Sequence, residues 1–103
     1  NCSPEICDWI DTYESTFGNL PNIGSAYGYM YMDITARALE IAGRDLTTDS
    51  FLNALESIND YKIPFGDTTL SWSPEKHLGA NVAYLFEVQN GTFIQTDNKE
   101  YTY

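Results

Sequence analysis

The spacing of apolar residues changes once along this chain, and that change limits the possible fold more than any other feature. Up to about residue 59, apolar residues recur three and four positions apart, which is typical of helices that bury one face. Beyond residue 64 they tend to alternate with polar residues, which is typical of half-buried strands. We therefore predict a helical part with three helices over residues 1–63 and a strand and hairpin part over 64–103.

The first helix is predicted to begin at Ser3-Pro4 and to stop at Gly18. Serine is a favoured N-cap, and proline fits the first helical position because its missing N–H is not needed there. Glycine is the residue that most often follows the end of a helix, and Pro21 prevents the helix from resuming.

Two further helices follow on the same kind of evidence. The second is predicted over about Ser25–Ala42, with Gly43 directly after its end. Its apolar face is broad, which indicates packing against more than one neighbour. The third is predicted from residue 48 or 49 to residue 59, with Thr47 or Thr48 as its cap.

The strand part is organised around one strong turn signal. Asn90-Gly91 favours a two-residue type I′ hairpin turn, because both of its central residues need a positive φ. Residues 82–89 alternate strictly, and residues 84–89 are predicted to pair with residues 92–96. Residues 68–72 are rich in strand-forming side chains, and the tail over 97–103 has no clear pattern.

Length and charge exclude several classes of function. The chain has 103 residues, 15 acidic against 5 basic side chains and a formal net charge of −10. No basic patch is present to release the counterions of a nucleic acid, and an anionic membrane surface would repel the chain. No apolar run reaches the roughly 18 residues of a membrane span. Because the sequence begins at Asn1, without an initiator Met, we expect a mature or trimmed product.

The two cysteines, Cys2 and Cys7, lie close together near the start of the chain. Five residues of regular helix rise about 7.5 Å, too far for a disulfide, but the ring closes if Cys2 precedes the helix. The alternatives are therefore a disulfide of an exported protein or two free, partly buried thiols. No metal site is expected, because His77 is the only histidine and no second cysteine pair exists.

No motif for catalysis stands out, and we predict that the chain is not an enzyme, has no catalytic residue and needs no cofactor. The sequence contains no phosphate-binding loop, nucleophile elbow or metal-binding His pair. His77 follows a proline-containing turn and is expected to be exposed. The carboxylates Glu5, Asp8, Asp11 and Glu14 could support a hydrolase, but a solvated helix face explains them better.

A cluster of tyrosines at the start of the second helix is the one local feature suited to a ligand. Each tyrosine offers an apolar ring and a hydroxyl group, which fits a small amphipathic solute. We predict Tyr27 and Tyr29 as ligand-binding residues, whereas packing within the core is the alternative at helical spacing. For Tyr31 we favour packing.

The segment SAYGYMYMDITARALEIAG resembles the closing helix of type I periplasmic solute-binding proteins, the family of the leucine/isoleucine/valine-binding protein. The likeness rests on the tyrosine- and alanine-rich entry with Tyr31, on Asp33, and on the exit Ala38-Leu39-Glu40-Ile41-Ala42-Gly43. The following segment TTDSFLNALESI is similar to the next helix of that family. The strand, turn and Asn-Gly hairpin over residues 63–93 then resemble the family's last strands, so three motifs occur in order.

This resemblance implies an α/β fold of two lobes joined by three hinge crossings, of which this chain would be only the C-terminal part. Residues 1–63 would belong to one lobe and residues 64–103 would return to the other, so the two parts are not independent domains. The family's groups for the ligand carboxylate would lie upstream of this chain. We therefore expect the isolated chain to bind no leucine, isoleucine or valine. We also expect it either to associate with itself, which we favour, or to repack its helices onto its own hairpin.

The function implied by the resemblance is solute binding for an ABC importer of branched-chain amino acids or similar small polar solutes. The expected partners are the solute and the membrane subunits of the transporter. The expected location is periplasmic or extracellular, with a membrane anchor on a missing N-terminal segment left open. Two alternatives remain at this point: a ligand-sensing receptor ectodomain of the same fold, and an autonomous small α+β interaction module.

Overall fold

A computed structural model of the protein describes residues 2–66 and 68–102. Three helices precede small antiparallel strand pairs in this range, which confirms the predicted order. The elements are α1 (Pro4–Phe17), α2 (Ile23–Ala42), α3 (Thr48–Glu56), β1 (Tyr61–Lys62), β2 (Thr69–Leu70), β3 (Val82–Ala83), β4 (Phe86–Gln89), β5 (Thr92–Gln95) and β6 (Tyr101–Thr102).

Capping side chains set the helix starts. Ser3 caps α1 as predicted, because its Oγ accepts a hydrogen bond from the Ile6 N–H at 3.4 Å. The second helix begins two residues earlier than predicted, at Ile23, because Asn22 is its N-cap. Asn22 and Ser25 form a reciprocal capping box in which each side chain accepts from the backbone N–H of the other.

The third helix is capped by Thr47, one of the two predicted residues, but it ends at Glu56, so the predicted end at residue 59 is wrong. Tertiary pairing is the reason. The Ile58 carbonyl accepts from the Trp72 N–H at 3.0 Å, so residue 58 is already bonded to a different part of the chain. The chain then turns at Asp60, whose φ of 55° is not helical.

The hydrophobic core lies between α2 and α3 and is closed by β1. Its buried residues are Met30, Ile34 and Ala38 on α2, Ala54 on α3, and Ile58 and Tyr61 after it. Helix α1 contributes no buried residue to this core, although its apolar stripe was predicted. The core is therefore a two-helix core with one covering hairpin.

That covering hairpin is β1 with β2, in which Tyr61 pairs with Leu70 and Lys62 with Thr69. The predicted change from the helical part to the strand part, after residue 63, falls between these two strands. Behind β2, the Trp72 ring lies against Gly79, where an added Cβ would be 2.6 Å from the ring. Gly79 is therefore needed for close packing.

The Asn90-Gly91 turn forms as predicted, with φ values of 52° and 79°. It joins β4 to β5 with Gln89 opposite Thr92 and Phe86 opposite Gln95. The predicted strand over 82–89 is interrupted at residues 84–85, and its first piece, β3, pairs instead with β6. This pairing orders part of a tail in which the sequence shows no pattern.

Candidate functional site

An open cleft of about 840 Å³ lies where the start of α1, the middle of α2 and the chain after β1 meet. The N-terminal turn forms one wall, α2 forms the second, and residues 62–66 form the third. The lining residues are Cys2, Ser3, Glu5, Ile6, Trp9, Tyr29, Asp33, Arg37, Lys62, Ile63, Pro64, Phe65 and Gly66.

Three aromatic rings in mutual contact form the apolar part of the cleft. The Trp9 ring centroid lies 4.9 Å from that of Phe65 and 5.5 Å from that of Tyr29. Tyr29 and Phe65 meet edge to face at 5.9 Å, a favoured geometry for aromatic pairs. The Ser25 hydroxyl donates to the Tyr13 hydroxyl at 2.9 Å and holds α1 against α2 one turn away.

Opposite charges form the polar part of the cleft. Arg37 Nε donates to Asp33 Oδ2 at 3.0 Å, one helical turn away, and the Tyr61 hydroxyl donates to the same oxygen at 2.8 Å. The Arg37 guanidinium also lies 5.3 Å from the centre of the Tyr61 ring. Asp33 thus joins α2 to β1 through its hydrogen bond with Tyr61, and it bonds to Arg37 within α2.

This network shifts the pKa of both of its donors. Burial, with the hydrogen bond to Asp33 as the second cause, raises the pKa of the Tyr61 hydroxyl above its usual range. The hydrogen bond from Arg37 to Asp33 raises the pKa of the guanidinium, so Arg37 keeps its charge. The cleft therefore presents a fixed carboxylate and a fixed cation beside an aromatic surface.

The N-terminal wall is held by a disulfide between Cys2 and Cys7, whose Cα atoms are 5.7 Å apart. Cys2 lies before Pro4, the first residue of α1. This is the arrangement that, according to the sequence analysis, allows the disulfide ring to close. Ser3, Glu5 and Ile6 lie inside this ring and line the cleft. The ring thus fixes the position of one wall relative to α1.

The structure separates the two predicted ligand-binding tyrosines. Tyr29 lines the cleft, whereas Tyr27 is half-exposed on another face of α2 and stacks on Tyr31 at a centroid distance of 6.1 Å. Residues two apart on a helix do not share a face, so Tyr27 and Tyr29 cannot line one cleft together.

The other chemistry considered from the sequence lies outside this cleft. His77 is exposed, and its Nε2 lies 2.8 Å from Glu56 Oε1 at the end of α3. Of the α1 carboxylates considered, Glu5 lines the cleft; Asp8, Asp11 and Glu14 do not. Among the described residues, no group of three or more His, Cys, Asp or Glu side chains is placed to hold a metal ion.

Sequence reasoning missed the residues that accompany Tyr29. The spacing of Asp33 and Arg37 is a recognisable signal for an ion pair on one helix face. No motif in the sequence marks Trp9 or Phe65 as a residue that contacts a ligand. No local pattern places these two rings together, since they are brought into contact only by the packing of separate elements.

A smaller cleft of about 560 Å³ lies on the other side of Arg37, Tyr61 and Lys62. Its remaining lining residues are Glu40, Ile41, Ser57, Ile58, Asn59 and Asp60, so it has no aromatic surface besides Tyr61. The larger cleft is therefore better suited to an amphipathic solute.

The helices among the described residues are all too short or too polar to cross a membrane.

Comparison with known proteins gives one match. The model of a family described as periplasmic binding protein matches residues 2–92. No curated protein and no solved structure matches the chain.

Proposed function

Because this chain belongs to the periplasmic binding protein family, we propose that it is the C-terminal part of a solute-binding protein that serves an ABC importer. The proposed solutes are branched-chain amino acids or similar small polar molecules. The family is one of non-enzymatic binding proteins and implies a solute-binding or receptor role in the periplasm or outside the cell. The importer and the class of solute are our proposal.

The observation that supports this proposal is the composition of the larger cleft. Its aromatic surface suits an apolar side chain, while Asp33 and Arg37 offer a partner of each sign to a zwitterion. Tyr29 links the two parts, because its ring packs on Trp9 and it lies one helical turn before Asp33. We propose Tyr29 as a residue that contacts the solute.

The mechanism we propose is a shift between open and closed forms. In a protein of two lobes, a solute that touches both lobes stabilises the closed form by its higher affinity for that form. A cleft open on one side leaves a solute partly exposed until the second lobe covers it. Binding by the 103 residues alone should therefore be too weak to measure for leucine, isoleucine or valine.

The test is calorimetric titration of the intact gene product that carries this sequence with a panel of amino acids. We expect at least one branched-chain amino acid or related polar solute to bind. Tyr29→Ala should weaken that binding about tenfold or more, which corresponds to 1.4 kcal/mol. The matched control is Tyr31→Ala, on the same helix but outside the cleft, which should leave the affinity unchanged.

Tyr27→Ala tests the other predicted ligand residue in the same titration. If Tyr27→Ala weakens binding and Tyr29→Ala does not, the solute lies on a different face of α2 from this cleft. An intact protein that binds none of the amino acids, or a 103-residue chain that binds leucine tightly on its own, would contradict the proposed function.

A further inference from the structure

The N-terminal wall of the larger cleft is joined to α2 and to the chain after β1 by few contacts. Helix α1 contributes no buried residue to the core. Its ring contacts with Tyr29 and Phe65 are made by Trp9, and its hydrogen bond to α2 is made by Tyr13. Among the described residues, no hydrogen bond, ion pair or ring contact joins residues 2–8 to these neighbours. Packing alone therefore gives this wall little order.

The disulfide supplies a restraint that packing does not. It closes a ring over residues 2–7, and Ser3, Glu5 and Ile6 inside that ring line the cleft. Two hydrogen bonds also hold the ring. The Ile6 N–H donates to Ser3 Oγ over a long distance of 3.4 Å, and the Cys7 N–H donates to the Ser3 carbonyl at 2.9 Å. Helix ends fray readily, so opening the ring should release the wall from the helix start.

The two sulfur atoms of this disulfide lie in different surroundings. Cys2 is exposed and precedes the helix, whereas Cys7 is half-buried at the end of the first helical turn. The N–H groups of a first turn carry a partial positive charge, which stabilises a thiolate beside them. We therefore expect an external thiolate to attack Cys2 and to displace Cys7 as the leaving thiolate.

We propose that the Cys2–Cys7 disulfide is a redox-sensitive element that controls the order of the cleft wall and, through it, the affinity for the solute. The oxidised form is the binding form, in agreement with the periplasmic or extracellular location that the family implies. A restraint that holds a binding surface in place raises affinity, because less order has to be gained on binding. The control of affinity rests on the proposed function, since it needs a solute in this cleft.

The reduction consumes two molecules of a small thiol such as glutathione. The first thiolate bonds to Cys2 Sγ while the Cys2–Cys7 bond breaks, and the electron pair of that bond leaves on Cys7 Sγ. The second thiolate attacks the glutathione sulfur of this mixed disulfide and releases Cys2 as a thiolate. The protein gains two electrons and the two protons of the thiols, and the two glutathione molecules become their disulfide.

The test uses the intact gene product that carries this sequence, without denaturant, in an excess of reduced glutathione. Mass measurement after alkylation should show that Cys2 and Cys7 become reactive, and amide exchange should quicken in residues 4–8. In calorimetric titration with the panel of amino acids, the dissociation constant of the bound amino acid should rise about fivefold or more. Reoxidation by oxidised glutathione should restore the original constant.

The matched control is a double variant with Cys2→Ser and Cys7→Ser. It should bind the amino acid as weakly as the reduced parent protein does, and glutathione should not change its affinity. If glutathione weakens binding in the double variant as well, the effect belongs to cysteines elsewhere in the intact protein and the proposal is overturned.

Two other results would overturn the proposal. One is a disulfide that stays closed in excess glutathione, because the bond is then only structural. The other is a disulfide that opens while the affinity for a bound amino acid stays the same. An oxidised protein that binds none of the amino acids contradicts the proposed function instead. Alkylation and amide exchange then still decide whether the disulfide controls the order of the wall.

Discussion

The α2–α3 core and the β4–β5 hairpin are stabilised in different ways. The core buries side chains of α2, α3, the residue Ile58 and β1, and Tyr61 closes it with a hydrogen bond to Asp33. The hairpin forms around a two-residue turn, and every residue of its two strands is exposed. Local signals are thus enough to make a hairpin, but burial requires surfaces from elsewhere in the chain.

The largest difference between the two regions should appear in a matched pair of isoleucine truncations. Ile34→Ala removes a buried side chain from the core and should lower the free energy of unfolding by about 3 kcal/mol. Ile94→Ala acts on a 42 % exposed residue of the hairpin and should cost less than about 1 kcal/mol. Urea unfolding followed by circular dichroism measures both, and equal losses would show that the hairpin shares the core.

A smaller loss of stability is expected from a substitution at the place where the core meets the chain after β2. Gly79→Ala places a Cβ 2.6 Å from the Trp72 ring and should cost about 2 kcal/mol through overpacking. Gly66→Ala is the control, because the nearest heavy atom to its Cβ would be 4.0 Å away. Thermal unfolding measures both effects. If both variants melted at the same temperature as the parent protein, the close packing of Trp72 on Gly79 would be contradicted.

Burial of the Tyr61 hydroxyl, together with its hydrogen bond to Asp33, should make the stability of the core depend on alkaline pH. The folded-state pKa of Tyr61 is raised above its usual value near 10, so the folded protein holds this proton more tightly than the unfolded chain does. The resulting stabilisation is complete below pH 10 and is lost as pH rises toward the folded-state pKa. Unfolding free energies from pH 8 to 11 should show this fall.

Tyr61→Phe is the control for that pH dependence. The substitution should lower the free energy of unfolding by about 1.5 kcal/mol at neutral pH, because the hydrogen-bond donor to Asp33 is lost. It should also remove part of the decrease in stability at alkaline pH. A decrease that is unchanged in Tyr61→Phe would assign the pH effect to other groups.

The hairpin turn should respond locally. Gly91→Val puts a β-branched residue at a φ of 79°, which is a strained conformation. The free energy of local unfolding of β4 and β5 should fall by about 1–2 kcal/mol as a result. Because these strands do not support the core, amide exchange should quicken in residues 86–95 while the exchange of α2 and α3 stays the same. Unchanged exchange in the hairpin would refute the turn as the source of its order.

The smallest effect on the core is expected from the N-terminal disulfide. Alkylation before reduction should modify no thiol, and alkylation after reduction should modify both Cys2 and Cys7. Since α1 has no buried residue, reduction should leave the exchange of α2 and α3 nearly unchanged while the start of α1 becomes less protected. Two reactive thiols in the unreduced protein would contradict the disulfide.

Much of the local structure could be predicted because its causes are local. Ser3, Gly18 and Thr47 bound helices by contacts within a few residues, and Asn90-Gly91 needs only its own φ values. The errors occur where a distant segment intervenes. Helix α3 ends early because Trp72 bonds to Ile58, and the strand over 82–89 is broken because β3 pairs with β6.

The candidate site was predictable only in part for the same reason. Tyr29 was recognisable as a ring near a helix start, and the order of motifs was sufficient to indicate the family. Whether Tyr27 or Tyr29 lined a cleft depended on where α1 packed, which no spacing within α2 reveals. Trp9 and Phe65 meet Tyr29 across 20 and 36 residues of sequence, respectively.

The helices and the hairpin turn could be predicted because caps and turn geometry act over short distances, and the family could be recognised from the order of its motifs. Tertiary structure alone decided which apolar stripes were covered. The stripe of α1 is only partly buried, and Ile23, Tyr27 and Tyr31 on α2 are exposed, although their periodicity is that of the buried residues of α2. Burial requires a facing surface, and α3 is long enough to cover only one half of α2.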